Sequence, residues 1–181
     1  IYAGKLENPE WIIADALAQA EHDPNAESLI VSTQQQTLTQ LLRLCNQSED
    51  GKALLKNNQI QFIFTESESA SIDFINDYAP EHLMICCPRM NIQQLTNYGA
   101  LFVGESSAVA YGDYCSGPNH TLPTSQAAKY SGGLSVHNFI KATTFQKVDP
   151  YQRFALSKVS AALADAEGLV NHQKSVLLRS R

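Results

Sequence analysis

Short apolar runs alternate with amphipathic stretches from Ser28 to Gly104, and this alternation constrains the fold more than any other feature. SLIVST (Ser28–Thr33), IQFIFT (Ile60–Thr65), LMICC (Leu83–Cys87) and ALFVG (Ala100–Gly104) read as strands apolar on both faces. Between them, TLTQLLRL (Thr37–Leu44), SASIDFINDYA (Ser69–Ala79) and NIQQLTNYG (Asn91–Gly99) read as helices. Such a series predicts an α/β fold, with a parallel sheet covered by helices on both faces. The chain opens IYAG, without methionine and in what reads as the end of a strand. The sheet is therefore expected to be an incomplete Rossmann-like domain, in a fragment or processed chain. In such sheets ligands gather at the carboxyl ends of the strands, and that is where a site is expected.

NPEWIIADALAQAEHDP predicts the first helix, with Asn8 as N-cap, Pro9 at the first helical position and Glu10 at the positive end of the dipole. Asp23-Pro24 ends it. After ALFVG comes GDYCSGPNHTLPT (Gly112–Thr124), which has neither helical nor strand periodicity. A long loop of this kind in a compact domain is uncommon unless it binds or catalyses.

The rhythm changes near Ser135, so residues 1–134 are read as the α/β portion and 135–181 as a mostly helical tail. TTFQKV reads as a weak strand. Asp149, Pro150 and Gln152 predict a capped helix, and a last helix follows Gly168. The two helices extend beyond the sheet and need a surface to pack on, such as another subunit.

A formal net charge of −5 without a dense Lys/Arg stripe argues against nucleic-acid binding. No apolar run reaches membrane-spanning length and no leader pattern opens the chain, which reads as cytoplasmic. Cys45, Cys86, Cys87 and Cys115 lack metal-site spacing and read as reduced thiols.

The polar residues at element ends each have an ordinary reading. Gln19 and His22, three apart, suit a solvated helix end. Asp113 and His120 suit an Asx-turn and an exposed imidazole in the loop. Glu81 and His82 suit a polar strand cap, Glu167 a helix start, and His172 and His137 the surface. Together, four of the five histidines lie beside carboxylate or amide side chains on one expected rim of the sheet. That pattern suits a metal site with mixed nitrogen and oxygen ligands, next to an acid/base pair.

LAQAEHDP, YAPEHL, GDYCSGPNHTLPT, GGLSVHNFIK and EGLVNH, in this order and at these separations, resemble the histidinol dehydrogenase family. The resemblance implies a zinc- and NAD-dependent four-electron oxidation of L-histidinol, through the aldehyde, to L-histidine. It implies zinc ligands at Gln19, His22, Asp113 and His172, and an acid/base pair at Glu81 and His82. Substrate would be held by the metal with its ligands, and by His82, His120 and Glu167. The tail carrying Glu167 and His172 would be exchanged across a homodimer.

The family's chain is more than twice as long, and the missing part carries its NAD site. No glycine-rich fingerprint here replaces it, so no cofactor-binding residue is assigned. Ala108-Val109 stands where the family usually has Pro-Glu, which removes a carboxylate near the expected ligands, and LPTSQAAKYSGG stands where LPTGG is usual. Two readings follow. The chain is either the carboxyl-terminal half of the dehydrogenase, inactive by itself, or a truncated homologue acting as a metal-dependent binding or dimerisation module without redox activity. A further reading has the site residues present in an incomplete fold that binds nothing tightly.

Overall fold

In the computed structural model, which describes residues 1–180, five parallel strands form a sheet of order β3-β2-β1-β4-β5. The strands are β1 (Tyr2–Ala3), β2 (Ser28–Ser32), β3 (Ile60–Phe64), β4 (His82–Cys86) and β5 (Ala100–Val103). Each successive strand is reached through a connection that packs on the sheet, as parallel pairing requires. The helices are α1 (Pro9–Ala20), α2 (Gln35–Cys45), α3 (Glu49–Lys56), α4 (Glu68–Tyr78) and α5 (Val109–Tyr114), followed by α6 (Arg153–Ala166) and α7 (Val170–Leu177). The expected parallel α/β sheet is present.

Alternating side chains divide the core into two layers. Ala3, Ile30, Met84 and Cys86 point to one face, where they meet Ile12, Ile13 and Ala16 of α1 and Leu38 and Leu41 of α2. Tyr2, Val31, Leu83 and Ile85 point to the other, against Ile72 and Ile75 of α4. Strands buried on both faces need apolar residues at consecutive positions, which is why they read as continuous runs rather than as an alternation. Burying one side chain such as Ile12, fully inaccessible here, stabilises the fold by about 1.5–3 kcal/mol.

Several local expectations are corrected. NIQQLTNYG forms only a single 3-10 turn, Ile92–Gln94. Asn76 of α4 donates to the Gln94 carbonyl (2.8 Å) and accepts from the N–H of Thr96 (2.8 Å), so tertiary hydrogen bonds hold the segment irregular. The unanticipated α3 starts at Ser48, whose Oγ accepts from Gly51 N–H at 3.0 Å, with Glu49 and Asp50 in its first turn. Gly112, Asp113 and Tyr114, read as loop, are the end of α5.

The chain divides into two compact units, Ile1–Ile140 and Lys141–Arg181. In the second, the expected strand TTFQKV is irregular and has no ladder partner among the described residues. Asp149 caps a turn, accepting from Tyr151 N–H at 2.8 Å, and α6 begins only at Arg153. The α6 face of Ser157, Ala161 and Ala164 is buried, and small residues there let α7 approach closely. Gly168, at φ +72°, supplies the left-handed turn between the two helices. Phe154, Val159 and Leu163 remain exposed on the same helix. Among the described residues no helix is long and apolar enough to cross a membrane.

Candidate functional site

Gln19, Glu81, His82 and Asp113 lie at the amino ends of the strands, opposite to the expected rim. The reason is the direction of the connections. Helices that follow parallel strands run back across the sheet, so the last turns of α1 and α5 and the first residue of β4 share one edge. At the other edge, where the strand order reverses between β1 and β4, Gly4 N–H donates to the Cys86 carbonyl at 3.1 Å. A Cβ on Gly4 would stand 3.0 Å from Cys87 Cβ, so the two strand ends pack closely there.

A cavity of about 490 Å³ opens at the amino rim. Its lining includes Gln19, Glu81, His82, Tyr78, Glu27 and Thr124. Gln19 is half-buried in the last turn of α1 and presents an amide to this space. Tyr78 donates its hydroxyl to Glu27 Oε2 at 3.2 Å. Burial, reinforced by the neighbouring Glu27 carboxylate, pushes its phenol up to about 12. It is thus a fixed hydrogen-bond donor at neutral pH rather than a titrating group.

Glu81 and His82 are held by their backbone. Gly99 N–H donates to the Pro80 carbonyl (3.0 Å) and Ala100 N–H to that of Glu81 (2.9 Å), while His82 pairs with Ala100 in the β4–β5 ladder. A Cβ on Gly99 would stand 2.5 Å from the Glu81 carbonyl oxygen, so only glycine allows this approach. Ala79, at φ +50°, ends α4 and turns the chain into Pro80 and the acid/base pair.

His82 Nε2 is buried, accepts and donates no hydrogen bond, and lies 3.5 Å from Asp113 Oδ1. The two atoms are close without hydrogen-bond alignment, and both side chains are largely shielded, 17% and 22% exposed. The imidazole faces Phe102, with ring centroids 6.0 Å apart. Phe102 in turn lies against Gly112, where a Cβ would come within 2.7 Å of the ring. The missing side chain at Gly112 therefore lets α5 settle on Phe102 and carry Asp113 to His82.

The remaining residues singled out from sequence stand apart. His22 is exposed in the bend beyond the end of α1, so it does not share a helical face with Gln19, and it does not line the cavity. His120 is exposed in the loop, next to an Asx-turn in which Asn119 Oδ1 accepts from Thr121 N–H at 2.8 Å. Glu167 follows the last turn of α6, and His172 lies in the first turn of α7, both exposed and both in the second unit. Among the described residues no three His, Cys, Asp or Glu side chains of one chain converge as a metal group. The donor chemistry nonetheless suits zinc: an amide oxygen at Gln19, a carboxylate at Asp113 with a buried unpartnered imidazole beside it, and a further imidazole at His22.

Sequence reasoning missed Asp15 and Glu105. Asp15 sits one turn before Gln19, and its place beside Ile12, Ile13 and Ala16 on an apolar stretch was the available signal. Burial pushes its carboxyl up, and its Oδ2 is buried without a hydrogen-bond partner. Val109, where the resemblance expects a glutamate, is itself buried in the core against α1. All four cysteines are free, and burial pushes the Cys86 thiol up to about 12 and raises that of Cys45.

Residues 1–180 match the family model described as histidinol dehydrogenase. The chain is 37% identical to the histidinol dehydrogenase of Methanocaldococcus jannaschii over 185 residues, covering 99% of this chain and 43% of that protein. It is 39% identical to that of Natronomonas pharaonis, covering 93% of this chain and 42% of the relative. The crystal structure of histidinol dehydrogenase from Elizabethkingia anophelis superposes with a TM-score of 0.89 at 34% identity, over 98% of this chain and 43% of that one. The chain thus spans less than half the length of the relatives it matches.

Proposed function

The chain belongs to the histidinol dehydrogenase family, and from that premise we propose that it is the carboxyl-terminal part of an enzyme oxidising L-histidinol, through the aldehyde, to L-histidine with zinc and NAD. The observation that carries this reading is the buried, unpartnered Nε2 of His82, 3.5 Å from Asp113 and adjoining the cavity that Glu81 and Gln19 also line.

Gln19, His22 and Asp113 would hold zinc, with His172 supplied by the exchanged tail of a second copy in a homodimer. When bound, the metal would fix the substrate imidazole and amine and leave the alcohol carbon free to lose hydride. The chain's own residues then divide the proton work. His82 takes the hydroxyl proton as hydride leaves the carbon for NAD, giving the aldehyde. Glu81 would take a proton from the water that adds to this aldehyde, leaving the hydrate as its anion, from which loss of a second hydride to a second NAD would give the carboxylic acid. Retaining the aldehyde between the two steps is the task of the cavity, with His120 and the second copy's Glu167 as substrate contacts. The NAD site belongs to the part of the family's length that this chain does not span.

Calorimetry with zinc, then with histidinol, on the wild-type chain and on Asp113→Ala and His172→Ala tests the proposal. About one zinc per chain, lost in both variants, is the expected result. Zinc bound equally by wild type and both variants would overturn the ligand assignment.

A further inference from the structure

We infer that Asn76 is a positioning residue for Glu81: from the last turn of α4 it clamps residues 94–97, whose continuation holds the backbone of Glu81 at the cavity. The inference rests on the proposed role of Glu81 in activating water.

The clamp joins one residue to one short segment. Asn76 Nδ2 donates to the Gln94 carbonyl at 2.8 Å, and its Oδ1 accepts from the N–H groups of Thr96 (2.8 Å) and Asn97 (3.4 Å). Asn97 Nδ2 donates in return to the Asn76 carbonyl at 2.9 Å. That carbonyl is among the last four of α4, which find no partner within their own helix. A side-chain amide suits this place because it carries donors and an acceptor together, and the irregular segment presents both a carbonyl and N–H groups.

Just beyond Asn97, the chain is tied to the far side of the same turn. Gly99 N–H donates to the Pro80 carbonyl at 3.0 Å and Ala100 N–H to that of Glu81 at 2.9 Å. The turn from Asn76 to Glu81 and the segment from Gln94 to Ala100 are therefore joined at both ends, with Ala79 at φ +50° between the joints. Slack at the first joint passes to the second, because Gly99 lies so close to the Glu81 carbonyl oxygen that a Cβ would stand 2.5 Å from it. Leu95 is buried in the same core layer as Ile72 and Ile75 of α4, so the segment stays on the helix without the clamp. What the clamp adds is the direction in which the backbone leaves toward Gly99. His82 depends on it less. It opens β4, which lies between β1 and β5 in the sheet, and its ring is backed by Phe102. Glu81 stands one residue outside the strand, half-buried at the cavity. A displacement of about 1 Å at a reacting group costs on the order of 100-fold in rate.

In the intact enzyme, Asn76→Ala, Asn76→Asp and Asn97→Ala are compared with wild type by single-turnover NAD reduction, started from histidinol or from the aldehyde, and by amide hydrogen exchange. Asn76→Ala is expected to slow oxidation of the aldehyde about 10–100-fold and to leave the first hydride transfer within about threefold of wild type. A general loss of structure would slow both steps alike. Exchange at Gly99 and Ala100 should rise about tenfold, with the amides of β2 and β3 unchanged. Asn76→Asp keeps the acceptor for Thr96 and Asn97 and should recover part of the rate. Asn97→Ala leaves those bonds in place and should slow the aldehyde step by a smaller factor. Equal slowing of the two steps by Asn76→Ala, or wild-type rates in both, would overturn the inference. Wild type that oxidises neither compound would overturn the proposed function instead, while exchange at Gly99 and Ala100 would still decide whether Asn76 holds the Glu81 turn.

Discussion

His82 Nε2 and Asp113 Oδ1 lie 3.5 Å apart without a hydrogen bond between them, although the imidazole nitrogen is buried. A buried polar atom without a partner costs about 1–3 kcal/mol, and such costs persist where the group has a use. The two residues come from the start of β4 and the end of α5, so their proximity depends on how these elements pack.

This pair gives the first prediction. In the intact enzyme, His82→Gln is expected to lower kcat by about 10²–10⁴-fold, the usual range for losing an acid/base group, with zinc still bound. Asp113→Ala is expected to lose zinc itself. Steady-state NAD reduction with metal analysis on both variants separates the roles, and loss of zinc in His82→Gln would contradict the assignment.

Gly112→Ala should disturb the same pair through sterics alone. The new Cβ would stand 2.7 Å from Cε1 and Cζ of Phe102, a ring buried in the core. A loss of about 1–3 kcal/mol is expected, the usual cost of overpacking, read as a lower urea midpoint at unchanged m-value. Gly117→Ala is the comparison, because nothing lies within 4 Å of its Cβ position, although its φ of +103° adds backbone strain.

Asp15 should leave a signature in the pH dependence of stability. Its carboxyl is raised above the ordinary 3.8 by burial, so the folded state binds its proton more tightly than the unfolded state. Below 3.8 both states are protonated and the group is neutral to stability. As pH rises from there through the folded value, the unfolded state ionises first and stability is lost. Asp15→Asn cannot ionise, so its stability relative to wild type should climb over that window and then level. Urea unfolding across a pH series checks this, and a constant difference would refute it.

The thiols should react in two classes. Cys115 is exposed, whereas Cys45 and Cys86 are buried with raised values, the latter about 12. Maleimide at neutral pH should label Cys115 first and leave Cys45 and Cys86 protected until the sheet opens, because the thiolate is the reactive species. Peptide mapping over time provides the readout.

The parallel sheet, α1 with its Asn8-Pro9 start, and the last helix after Gly168 were legible in the chain because periodicity and capping residues are local. The family was legible too, because its motifs keep their order and separations. NIQQLTNYG escaped, since its helical period is overridden by Asn76, a partner on another helix. The start of α6 was displaced because the Asp149 side chain closes a turn instead of opening the helix. Which rim holds the candidate site was also beyond local reading. It follows from the return direction of α1 and α5 across the sheet. The sequence by itself determined which residue types are available: the amide of Gln19, the Glu81-His82 pair and the carboxylate of Asp113. Only the tertiary structure decided that His82 stands beside Asp113, through the bare Cα of Gly112 against Phe102, and that Glu105 accepts from the N–H groups of Glu7 and Asn8, far away in the chain. Such contacts join elements distant in sequence, and their geometry is settled by packing, which no local pattern encodes.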